Sequence, residues 1–134
     1  MTSAALSVTL LYAGLNALIL LTLAIITVRV RVVTRTDVGT GDSISMTKAV
    51  RAHGNAAEYV PVALILIGAL ELAGAPSAFL HGLGAAFTAS RLLHAQGIYS
   101  TLSTSFGRLV GTLLTWLVYA LGAGACLYYY ATVA

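Results

Sequence analysis

The chain has 134 residues, of which 59% are hydrophobic and 8% charged, and its mean hydropathy is +0.93. A soluble domain carries roughly 25% charged residues, so a soluble globular fold is excluded. The net charge of +3 and the isoelectric point near 9.3 then read as membrane topology rather than as a footprint for nucleic acid.

The first apolar run, residues 4–28, holds no charged residue. It lacks a basic leader and is too long for a secretory signal, so it is read as an uncleaved membrane helix over about residues 6–33. Asn16 is its isolated polar side chain and is expected to bond across to a neighbouring helix. The helix ends on Arg29 and Arg31, and the polar, glycine-containing residues 34–43 form a solvent-exposed loop.

Helix 2 is expected over about residues 45–72, and it carries the most informative residues of the chain. Arg51, Asn55 and Glu58 stand at i, i+4 and i+7, within a wedge of about 60° on one face, with Tyr59 at its edge. An apolar run follows at once. A charged side chain at mid-bilayer costs roughly 2.5–3.5 kcal/mol, so this wedge must face protein, water or a ligand. Arginine grips a carboxylate bidentately, glutamate receives an ammonium and asparagine orients an amide, which suits a zwitterionic small molecule. An internal polar network is the competing reading, but Arg51 and Glu58 lie about 10 Å apart along the axis and cannot pair well with each other. Pro61 removes one backbone donor and can bend the helix.

Residues 73–77 form a short turn, and helix 3 follows over about residues 78–98. Its row Ala78, Gly82, Ala86, Ser90 has the spacing of a close helix–helix contact, as does Gly107, Gly111, Thr115 on helix 4, residues 105–130. Each row serves either packing within the bundle or a subunit interface. Arg91, His94, Gln96, Tyr99 and Arg108 cluster at the ends of helices 3 and 4. The arginines are either interfacial anchors reaching lipid phosphate or the basic wall of a cavity shared with the helix 2 wedge. Such a cavity favours an anionic ligand and depresses the pKa of a bound thiol. Tyr128 to Tyr130 form an aromatic anchor, and the single cysteine, Cys126, is a small packing residue. His53, His81 and His94 lack metal-site spacing, so no metal is expected, and no nucleic-acid, phosphate-loop or nucleophile-elbow motif is present.

Four spans use nearly the whole chain as one domain, residues 1–134, and give an all-α integral membrane bundle of four transmembrane helices. All seven lysines and arginines lie around the 1–2 and 3–4 connections. By the positive-inside rule those connections are cytoplasmic and both termini lie outside.

The pattern Arg51, Ala52, Asn55, Glu58, Tyr59, Pro61 resembles the helix 2 signature of the membrane-associated proteins in eicosanoid and glutathione metabolism (MAPEG), closest to the leukotriene C4 synthase and microsomal glutathione transferase branch. Arg29 and Arg31, and the run Arg91, His94, Gly97 with Arg108, are also similar to that family, and the likeness extends over the whole chain in span number and length. The resemblance implies a homotrimer with glutathione held between subunits on the cytoplasmic side. It implies contacts to glutathione from Arg51, Asn55, Glu58, Tyr59, His94 and Tyr99, with Arg29 or Arg31 from helix 1, and a catalytic Arg108 near the sulfur. The chain departs from the family pattern at Ile98, where a tyrosine is frequent and Tyr99 follows one residue later. It departs again at Leu109, Val110 and Thr112, where a serine or tyrosine is expected. The implied function is a bacterial inner-membrane glutathione transferase or peroxidase acting on a lipophilic electrophile. The alternative is a non-enzymatic accessory subunit of a larger membrane complex that keeps the fold. A four-helix multidrug exporter is disfavoured, because helix 1 has no membrane carboxylate.

Overall fold

A computed structural model describes residues 6–133 and contains four long helices: α1 (Ser7–Thr34), α2 (Ile44–Leu72), α3 (Ser77–Ser100) and α4 (Phe106–Val133). Their bounds fall within three residues of the sequence expectations. By length and composition, α1, α2 and α4 are apolar enough to cross a membrane. Exposed Leu18, Leu21, Ile65, Leu113, Trp116 and Leu127 suit a lipid solvent, where an apolar surface carries no penalty.

Local chemistry sets the helix ends. α1 stops in a Schellman closure: Arg35 adopts φ 51°, its N–H donates to the Val32 carbonyl, and Thr36 N–H donates to the Arg31 carbonyl. The Arg31 guanidinium folds over the following loop and donates to the carbonyls of Thr36, Asp37 and Gly39 at 2.8, 3.0 and 3.3 Å. Ser43 caps α2 by accepting from Met46 N–H at 3.2 Å, and α2 runs unbroken through Pro61. Gly74, at φ 82°, turns the chain toward α3.

α2 packs against all three other helices, while α1 and α4 do not touch among the described residues. One buried cluster, with Tyr12, Val60, Ile67, Leu70, Leu80 and Phe87, fills the half nearer the α2–α3 turn. A smaller one, Leu23, Ala52, Ala56 and Ile98, closes the other half.

Polar side chains join the helices. The Glu71 carboxylate on α2 accepts from Val8 N–H at 2.8 Å, Thr9 N–H at 2.7 Å and Thr9 Oγ1 at 2.6 Å, and so caps the first turn of α1. Asn16 is fully buried and donates across to Thr88 Oγ1 at 3.0 Å, as expected. Tyr12 lays its ring on Gly84 and donates to the His81 carbonyl at 3.0 Å.

The α4 row of small residues packs inside the bundle. A Cβ at Gly111 would stand 2.7 Å from the Ser90 carbonyl, and one at Gly107 the same distance from the Leu93 carbonyl. The α3 row meets it only at its last member. Ser90 touches Gly111 and Thr115, whereas Ala78 and Gly82 are exposed, and the rest of the contact on α3 is made by Leu93, His94 and Gly97. The α4 row therefore crosses the small-residue stripe of α3 at Ser90 and then leaves it.

Candidate functional site

Three helix ends enclose a cavity of about 420 Å³. α2 lines it with Thr47, Val50, Arg51, Gly54, Asn55 and Glu58, α3 with His94 and Ile98, α4 with Arg108, and the α3–α4 loop with Leu102. The i, i+4, i+7 spacing of the wedge turns one face of α2 into a wall. The close α3–α4 contact at Gly97, Gly107 and Gly111 sets His94 and Arg108 opposite.

Arg51 and Glu58 are exposed at this wall, and neither side chain has a hydrogen-bond partner among the described residues. Arg108 is half-buried and gives Nη1 to the carbonyls of Leu102 and Ser103, both at 2.8 Å. Its other guanidinium N–H groups have no partner among the described residues. His94 is nearly buried, at 8% exposure. The cavity thus joins two arginines and one glutamate, and Arg91 adds a further positive charge behind it.

Arg91, like Arg108, was expected to be either a lipid anchor or part of a basic cavity wall, and for Arg91 the structure rejects the lipid anchor. It is 2% exposed. Nη1 donates to Asn55 Oδ1 at 2.6 Å and Nε to Ser90 Oγ at 3.2 Å. Nη2 donates to Thr115 Oγ1 and, at 3.5 Å, to the Gly111 carbonyl. The guanidinium carbon stands 5.0 Å from the Tyr59 ring centre and 5.4 Å from that of Phe87. Every partner is neutral. A sequence signal for this existed: Arg91, His94 and Ile98 share one face at i, i+3, i+7, and two of them line the cavity.

The remaining expected residues lie elsewhere. Tyr59 stands behind the wall, its ring at an edge to Tyr119 with centres 5.7 Å apart and its carbonyl accepting from Tyr119 Oη at 2.7 Å. Tyr99 turns away toward the small cluster, with a buried hydroxyl that has no partner among the described residues. Its carbonyl accepts from Lys48 Nζ at 2.9 Å. Ile98 takes the cavity position. Arg31 is committed to its own loop, and Arg29 is exposed on α1; neither lines the cavity. Among the described residues no group of three metal-ligating side chains occurs.

A family model described as the MAPEG family matches residues 9–128. The inner membrane protein YecN of Escherichia coli strain K12 is 36% identical over 119 residues, covering 89% of each chain. YecN of Escherichia coli O6:H1 strain CFT073 matches to the same extent.

Proposed function

Because the chain belongs to the MAPEG family, we propose that it binds glutathione in this cavity and directs the thiol at a lipophilic electrophile, as a transferase or peroxidase of the bacterial inner membrane. The observation that carries the reading is the pair of unpartnered, oppositely charged side chains, Arg51 and Glu58, on one wall of a cavity large enough for a small molecule. Arg51 receives a carboxylate of the tripeptide, Glu58 its ammonium, and His94 closes the opposite wall.

The free N–H groups of Arg108 meet the sulfur. A cysteine-type thiol has a pKa of about 8.5, and a nearby guanidinium favours its thiolate. In a transferase step the thiolate forms a sulfur–carbon bond, and the leaving group departs with its electron pair. Apolar acceptors reach the sulfur sideways from the bilayer, and holding the two reactants together supplies much of the acceleration.

Assembly as a homotrimer brings α1 of a neighbouring subunit to the open side of the cavity. With Arg31 folded onto its own loop, Arg29 is the α1 arginine left to reach across. The basic residues around this end of the bundle support a cytoplasmic location for it, and the relatives' name supports the inner membrane.

The test is thermal unfolding of the detergent-purified protein with increasing glutathione. Saturable stabilisation is expected, because a ligand that binds the folded state stabilises it by mass action. No shift at millimolar glutathione would overturn the reading. The second reading, an accessory subunit that binds glutathione without turnover, is favoured by one observation: Arg108 already spends Nη1 on two loop carbonyls. Turnover of chlorodinitrobenzene by the wild type, lost in Arg108→Ala with affinity kept within a few-fold, selects the enzyme. Saturable binding without turnover selects the accessory role.

A further inference from the structure

A guanidinium has donors and no acceptor. The atom of Asn55 that stands 2.6 Å from Arg91 Nη1 is therefore its oxygen, and the amide orientation follows from chemistry. The other side of that amide, Nδ2 with its two N–H groups, has no partner among the described residues, and Asn55 lines the cavity. Arg91 cannot swing aside to release it. The side chain is 2% exposed and is held at Ser90, Thr115 and the Gly111 carbonyl, between the rings of Tyr59 and Phe87.

We propose that Arg91 is a positioning residue that fixes Asn55 as a hydrogen-bond donor, so that the ligand group opposite Asn55 is a carbonyl or carboxylate oxygen. Arg51 lies one turn away on the same face, about 6 Å along the axis, and is also a donor. Glu58, about 4.5 Å further in the other direction, accepts. Along α2 the wall reads donor, donor, acceptor. A matching ligand carries a carboxylate, then a carbonyl, then an ammonium in that order, which is the polarity of a short zwitterionic peptide. This specificity rests on the glutathione reading and adds the rule that selects among peptides.

The experiment measures glutathione affinity by calorimetry and the ligand-free melting temperature for the wild type and four variants in detergent. Asn55→Asp keeps an oxygen facing Arg91 but turns the cavity side into an acceptor. It is expected to melt no lower than the wild type, while binding glutathione at least ~30-fold more weakly and more weakly than Asn55→Ala. A purely structural asparagine predicts the opposite, with affinity following stability. Arg91→Lys, also donor-only, is expected to hold affinity within about threefold, whereas Arg91→Gln, which can present either group to Asn55, loses about tenfold or more. Wild-type affinity in Asn55→Asp, or equal affinity in Arg91→Lys and Arg91→Gln, overturns the proposal; the lysine–glutamine comparison decides it if the aspartate variant does not fold. Absence of glutathione binding in the wild type overturns the function itself, and is told apart because no variant is needed to see it.

Discussion

Arg51 is the clearest single handle on the cavity, since it faces the space and has no partner among the described residues to compensate for its loss. Arg51→Ala is expected to weaken glutathione binding by about 1.5–3 kcal/mol, the scale of a hydrogen bond to a charged group. The ligand-free melting temperature should barely move, because no hydrogen bond of this side chain to the described residues is lost. An unchanged dissociation constant would assign the wedge to structure. At this scale the helix 2 residues were legible because helical periodicity alone puts positions 51, 55 and 58 on one face. For Arg91 the same periodicity showed the face it shares with His94 and Ile98 but not its burial, which depends on space made by another helix, at Gly111 and Thr115. Tyr99 and Ile98 illustrate the same limit. One residue of offset is 100° of rotation, and which of the two faces the cavity is decided by how α3 packs.

Among the elements, α1 depends on α2 for its beginning. Leu6, at the N-cap, offers no side-chain cap, and the four free N–H groups of a helix start need partners. Glu71 supplies two of these, for Val8 and Thr9, from another helix. Glu71→Ala is expected to cost about 1–3 kcal/mol of stability and to fray the first turn of α1, seen as faster amide exchange at Val8 and Thr9. Glu71→Gln should recover part of that, since its carbonyl still accepts. Equal exchange in all three proteins would remove the cap from the account. Helix bounds were readable from apolar run length and turn residues. The pairing of small-residue rows was not, since Ala78 and Gly82 have the same spacing as Gly107 and Gly111 and yet face outward. Spacing marks a surface that permits close approach without naming its partner.

For the whole molecule, a cysteine introduced at Thr40 should be labelled from the cytoplasmic side and one at Ala75 from the opposite side, and native mass spectrometry should find a trimer. Reversed labelling would sink the orientation, and a monomer would sink the shared cavity. Arg91 also bears on how the molecule is made. α3 buries a cation that finds only neutral partners, contributed by α2, α3 and α4, and α3 is absent from the helices apolar enough to cross on their own. An arginine at mid-helix costs roughly 2.5–3.5 kcal/mol on entering lipid. The partners that offset this, Asn55 and Thr115, are translated before and after it. α3 is therefore expected to integrate together with α2 and α4 rather than alone. In a glycosylation-reporter assay, α3 alone in a carrier protein should pass through into the lumen, whereas the segment from α2 to α4 should integrate. Arg91→Leu should let α3 integrate alone, making the residue that shapes the cavity also the one that ties its helix to its neighbours during biogenesis.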